Sequence, residues 1–272
     1  MIDALRYEVV RLVTIRSTYW LIGLALLFQL IMSMLIAWQL PESGPLSGGE
    51  QPFAALVTIG ASTGFAPLLI AYILGLLGVF SMGHEYRHGM IRATLTALPR
   101  RGHVLVAKVV TTALVSALAA VLCVVAGWLS AVVFAVGLPT AEEVLSITTG
   151  TVVYTVLFTL SGLAFALVLR NQTAAVAMLL LVPTVGESII KGVVAVIKLA
   201  SDDPDGTSGV VTILKFLPYD AGGKMYTRLS LSKALEFLGY RPFDAVGGGI
   251  VLAVFVGLLL ALGSFLFLRR DA

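Results

Sequence analysis

Cysteine is nearly absent. The 272 residues contain one, Cys123. A lone cysteine excludes a disulfide framework within the chain and any cysteine-built metal cluster. It sits inside an apolar run, where a thiol behaves as a small buried apolar group. Charge is also sparse. Asp, Glu, Lys and Arg make up 12% of the chain and apolar residues 58%, against roughly 25% and roughly 45–50% in a soluble domain. That excess suits lipid as the solvent. A net charge of +3 is too small for a nucleic-acid footprint, so no nucleic-acid partner is expected. The phosphate-cradling pattern G-x-x-x-x-G-K-[ST] does not occur, and Gly222-Gly223-Lys224-Met225 lacks its spacing and its hydroxyl. If ATP drives this protein, another chain must bind it.

What is present is long apolar runs. A span needs about 20 mostly apolar residues. Six runs qualify, at 18–38, 65–82, 109–136, 147–169, 173–197 and 245–268. The second is expected to begin near Thr58, with Pro67 in its first turns. The fifth carries Pro183, Glu187 and Lys191. All six read as helices, because an open strand edge cannot sit in lipid. The first run is too long for a secretory signal and no A-x-A-like site follows it, so it is read as a retained span. Arg6, Arg11 and Arg16 precede span one. Arg87, Arg92, Arg100, Arg101 and Lys108 follow span two, Arg170 follows span four, and Arg269 and Arg270 follow span six. The connections after spans one and three hold acids and no Lys or Arg. This alternation puts both termini in the cytoplasm. Residues 198–244 are then external.

Three segments do not span. Residues 1–17 place Ile2, Leu5, Val9, Leu12 and Val13 at helical spacing, with Asp3, Arg6, Glu8 and Arg11 mostly elsewhere. This predicts an amphipathic helix in the inner interface. In the cytoplasmic loop 83–108, Gly89 breaks the helix of span two. Ile91, Leu95 and Leu98 then recur at helical spacing until Pro99. A short helix that leaves the membrane and returns so soon offers a compact face to a soluble partner. The external segment contains the apolar stretch 209–226 and a helical stripe at Leu231, Ala234, Leu235 and Leu238. Both can lie at or dip into the outer interface. Small residues at four-residue spacing, Ala71 and Gly75 in span two and Ala253, Gly257 and Ala261 in span six, permit close helix packing.

Three chemistries compete for these residues. His84, Glu85 and His88 spell H-E-x-x-H, the pattern of an integral membrane zinc metalloprotease. Zinc needs a third protein ligand, yet no Asp or Glu occurs between Glu85 and Glu142, and Arg87 sits inside the motif. Residues 60–64 match G-x-S-x-G, but every histidine lies at the other face of the membrane. Glu187 and Lys191 stand at i, i+4 with the acid first, the better order for a helical ion pair. Charges in a span are functional candidates. The pair reads as structural, or as lining a substrate path or gate, including that of an ion-coupled secondary carrier.

The order of parts resembles the permease subunits of ABC-2-type (type V) ATP-binding cassette transporters. The stretch HEYRHGMIRATLTALPRRGHVLVAK, residues 84–108, is similar to that family's signature: a Glu, a Gly soon after, Ile-Arg, a Leu-rich turn, Pro-Arg-Arg, then a Lys at the next span. LPYDAGGKM, residues 217–225, is similar to a stretch found before the last span in bacterial members. Met90 departs from the Thr common there. The resemblance covers nearly the whole chain, 1–272, as one transmembrane domain. It implies an all-α integral membrane protein with six transmembrane helices, an elbow helix at 1–17 and a coupling helix at 89–98. Glu85, Tyr86, Arg87, His88, Gly89, Ile91, Arg92 and Leu95 would lie at or beside the contact with a separate ATPase subunit. It also implies two such ATPase subunits, holding ATP and Mg, and a second permease, identical or homologous. The chain would itself be no enzyme and hold no cofactor, and would work as an exporter in the cell membrane.

Overall fold

Lipid offers the backbone no hydrogen-bond partners, so an apolar chain crossing it closes its bonds within helices. The computed structural model describes residues 2–39, 50–63, 67–87, 89–91, 96, 101–200, 208–227 and 242–269. Its helices in chain order are α1 (Ile2–Thr14), α2 (Arg16–Gln39), α3 (Glu50–Thr58), α4 (Leu69–Arg87), α5 (Arg101–Val133), α6 (Ala141–Leu169), α7 (Gln172–Leu181), α8 (Glu187–Ala200), α9 (Ser208–Ile213), α10 (Pro218–Gly223) and α11 (Ala245–Arg269). Among the described residues there is no strand. Six segments are long and apolar enough to cross a membrane: α2, α4, α5, α6, the stretch Gln172–Lys198 made by α7 and α8, and α11. The chain is an all-α, multi-pass membrane protein.

Helix α6 is central and packs against α4, α5 and α11. It approaches α4 closely because both carry glycines where they meet. A Cβ on Gly78 would lie 1.9 Å from the Thr159 carbonyl oxygen, and one on Gly162 would lie 2.6 Å from that of Gly75. Small residues of this kind let helix backbones meet in lipid, where close packing replaces the hydrophobic effect as the cause of association. Thr151, Thr155 and Thr159 on the buried face of α6 donate to the carbonyls four residues earlier, so no hydroxyl there goes unsatisfied. The stripe Ala253, Gly257 and Ala261 on α11 faces outward instead. A Cβ on Gly257 would meet nothing within 4 Å. The packed face of α11 runs through Gly248, Leu252, Val256, Gly263 and Phe267.

The second span starts at Leu69, after Pro67, and not near Thr58. Residues 50–58 form the separate helix α3, which ends in a left-handed turn with φ of +53° at Ile59 and +77° at Gly60. The Gly60 N–H returns to the Ala55 carbonyl at 2.8 Å, the closing bond of a Schellman cap. Phe53, Leu56, Val57 and Thr58 are fully buried among α2, α5 and α6. The last carbonyls of α3 have no water to meet. Gln29 of α2 meets them, its side-chain amide donating to Leu56 O at 3.0 Å and Val57 O at 3.2 Å.

The segment 208–227 enters the bundle. Helix α10 packs on α11, where a Cβ on Gly248 would stand 2.0 Å from the Ala221 carbonyl oxygen. Gly150 of α6 is as tightly placed against the Met225 carbonyl, at 2.1 Å. The stripe at Leu231, Ala234, Leu235 and Leu238 lies outside the described residues.

Candidate functional site

Two polar clusters stand out, one at the α1 end of the bundle and one where segment 208–227 meets span five. The first joins α1, the end of α4 and the start of α5. Lys108 is 1% exposed. Its Nζ donates to Glu8 Oε1 at 2.7 Å, Glu85 Oε1 at 2.5 Å and the Ser81 carbonyl at 3.3 Å. Arg11 reaches the same Glu85 oxygen at 2.5 Å and the Ser81 carbonyl at 2.6 Å. It also pairs with Glu8 Oε2 at 3.1 Å, outside hydrogen-bond geometry. Two acids and two bases cancel. Burial makes a lone charge costly, so the four groups hold one another in place. Glu8 and Arg11 face away from Val9 and Val13, as the helical period predicts. They face the bundle, however, and leave Val9, Val10 and Val13 exposed.

This cluster pins both ends of the loop between α4 and α5. Helix α4 closes with Gly89 at φ +65° and the Met90 N–H bonded to Glu85 O at 2.9 Å. Glycine takes that left-handed conformation without strain. Of the eight residues expected at the docking contact, Glu85 is buried in the ion cluster and Ile91 is buried in the main core. Tyr86 is half-buried, with the Arg170 guanidinium 5.8 Å from its ring centre. Arg87 and Gly89 are exposed. His88, Arg92 and Leu95 lie outside the described residues, as does most of the expected helix 89–98. His84 stacks on Phe80 at 4.8 Å. Glu85, the base of an H-E-x-x-H reading, is thus held by two cations. Among the described residues no three His, Cys, Asp or Glu side chains converge as metal ligands do. In G-x-S-x-G, the Ser62 side chain is buried and its N–H donates to Thr58 Oγ1 at 2.9 Å.

The second cluster is set up by a break in span five. Between α7 and α8, Val182–Gly186 forms one wide π-turn containing Pro183. Ala175 and Leu179 mark the inner face of α7. In an unbroken helix that face would continue at residue 186. The extra residue moves the place to Glu187. The Thr184 hydroxyl donates to Leu180 O at 2.5 Å and that of Ser188 to Thr184 O, which helps satisfy carbonyls loosened at the turn. Glu187 is buried, and its two oxygens accept the N–H groups of Tyr219 at 2.7 Å and Asp220 at 2.8 Å. It thereby caps α10, whose first residue is Pro218. Lys191 donates to Asp220 Oδ1 at 2.6 Å. The i, i+4 spacing predicts that Glu187 and Lys191 pair with each other. Each binds segment 208–227 instead.

Tyr219 completes this latch. Its hydroxyl donates to Ser161 Oγ on α6 at 3.0 Å, and its ring meets Phe158 and Phe255 edge-on at 5.4 and 5.7 Å. Burial pushes the Tyr219 hydroxyl pKa well above its ordinary value, so it stays a donor. Burial also lowers the ammonium pKa of Lys224, with Asp220 opposing and Lys191 adding to the shift.

Scanned against protein-family models the sequence matches none, and it matches none of the curated proteins.

Glu85 and Lys108 lie in the signature-like stretch 84–108 and Asp220 in 217–225, but no sequence pattern joins them to Glu8, Arg11, Glu187 or Lys191. Glu8 and Arg11 read as ordinary interface charges. One signal was available: Glu85 and Lys108 border spans, and charges in such places are commonly paired.

Proposed function

We propose that the chain is the membrane-spanning permease subunit of an ATP-driven exporter of the ABC-2 type. The observation that carries this reading is the ion cluster of Glu8, Arg11, Glu85 and Lys108. It joins the elbow helix α1, the end of α4 and the start of α5, so the cytoplasmic connection between α4 and α5 is tied at both ends to these three helices. A force applied to that loop is passed to all three together. A loop that merely connects two spans has no need of such anchoring. The resemblance of residues 84–108 to the ABC-2 signature names the source of the force: a separate ATPase subunit, present twice, which holds ATP and Mg. The chain's own residues do mechanical work. Glu85 and Ile91 anchor the hook, Gly89 turns it, and Arg87, Arg92 and Leu95 meet the partner. A second permease, identical or homologous, completes the path in the cell membrane, with both termini cytoplasmic. Any shift between inward- and outward-facing states then depends on contacts that differ between them.

At the other end, the Glu187 latch holds segment 208–227 inside the bundle. In this reading it closes the outer side of the path. Both Glu187 oxygens are engaged by backbone N–H groups, which fits a latch better than an ion-carrying site.

The test is whether Mg-ATP hydrolysis co-purifies with the gently solubilised chain and falls at least tenfold in Arg92→Glu at equal chain level. Unaltered hydrolysis in that variant refutes the docking assignment.

A further inference from the structure

We propose that the face of α2 from Arg16 to Leu27 binds one anionic phospholipid of the leaflet on the α1 side. The headgroup phosphate would sit on Arg16 and one acyl chain in the groove beyond it. Arg16 opens α2 at the corner where α1 turns into the span, and it is exposed. Among the described residues no hydrogen bond or ion pair engages its guanidinium. A shallow depression runs from it along one helix face, lined by Tyr19, Trp20, Gly23, Leu24 and Leu27. Gly23 forms its floor, since a Cβ there would meet nothing within 4 Å. Trp20, 77% exposed, and Tyr19 form the wall nearest Arg16.

The dimensions fit one lipid leaflet. Eleven helical steps from Arg16 to Leu27 measure roughly 16 Å, and half of a bilayer's hydrocarbon core is about 15 Å. The polar end carries Arg, Tyr and Trp, the residues suited to headgroup level. The far end carries leucines. Val9, Val10 and Val13 of α1 are exposed beside the corner, which suits an α1 lying at the same interface.

Charge selects the headgroup. Glu8 and Arg11 are spent in the buried cluster, which leaves Asp3, Arg6 and Arg16 as the exposed charges of α1 and the start of α2. Their balance is positive. A guanidinium fork takes two phosphate oxygens at once. An anionic lipid supplies these without bringing a second cation to the corner. A second copy of this chain suits the face less well. Helix α2 contains no acidic residue, so the same face on a partner has nothing to pair with Arg16.

The experiment uses the full chain in phosphatidylcholine vesicles, with Trp38→Phe and Trp128→Phe leaving Trp20 as reporter. Phosphatidylglycerol brominated on its acyl chains is titrated against equally brominated phosphatidylcholine. The expected result is quenching of Trp20 at about fivefold lower mole fraction of the anionic lipid, the factor for one basic side chain near an anionic surface. Arg16→Gln should abolish the preference. Gly23→Leu, which fills the floor, should weaken quenching by both lipids, and it keeps the test open if Arg16→Gln fails to fold. Equal quenching by both lipids, or a preference that survives Arg16→Gln, overturns the proposal. So does a Trp20 that neither lipid reaches, as a second copy covering it would produce.

Discussion

Lys108→Met removes one charge and little volume. In the native chain Lys108 serves two buried carboxylates, Glu8 at 2.7 Å and Glu85 at 2.5 Å, plus the Ser81 carbonyl at 3.3 Å. The four-residue cluster goes from neutral to a net charge of −1, with Arg11 alone facing both acids. Breaking a buried ion pair from one side costs about 3–5 kcal/mol, which is a large share of a typical margin of about 5–15 kcal/mol. The unfolding midpoint should fall by roughly 6–20 °C. Cys123 gives the assay. It is the chain's single cysteine and is fully buried on the same helix as Lys108, so its alkylation during heating in detergent reports unfolding. Adding Glu8→Gln to Lys108→Met restores neutrality and should recover at least half of the loss. A fall of less than about 2 °C, or a double variant no better than Lys108→Met alone, would mean that the cluster does not hold the fold.

Other outcomes follow from the same geometry. Glu187→Ala leaves the N–H groups of Tyr219 and Asp220 without an acceptor, at about 1–3 kcal/mol each. Amide exchange at those two positions should speed up at least tenfold, and unchanged exchange would argue against the latch. Gly78→Ala puts a Cβ 1.9 Å from the Thr159 carbonyl oxygen and should push α4 from α6. Gly257→Ala, in open space, should leave the thermal midpoint unchanged. Equal midpoints for the two variants would contradict the packing. Gln29→Leu strips the C-terminal carbonyls of α3 of their donor and should lower stability by about 1–3 kcal/mol in the same alkylation assay.

The six spans were legible because lipid imposes a length and a composition on each crossing, and both can be counted along a single chain. The stop at Gly89 was legible because glycine marks a left-handed turn by its own chemistry. Where the reading stopped, the cause was a partner remote in sequence. Glu8 and Lys108 are 100 residues apart and meet only after α1 folds back on α5. Helical periodicity separates Glu8 from the exposed valines of α1 but does not say that it turns toward protein. Helix α3 was hidden for a similar reason. Its stop rests on an isoleucine at positive φ, a conformation its side chain disfavours and the surrounding packing imposes. Glu187 and Lys191 looked like a local pair because spacing counts residues in an unbroken helix. The wide turn at Val182–Gly186 and the return of segment 208–227 give each a different partner.

As proposed, this chain would be one of two membrane subunits driven by a separate ATPase. Native mass spectrometry of the assembly, gently extracted from its own host, tests it most directly. The expected result is two permease chains with two copies of a soluble ATPase, both ATPase copies being lost in Arg92→Glu. A chain that carries one zinc ion and no ATPase would contradict it, and would return the H-E-x-x-H histidines to the centre of the function.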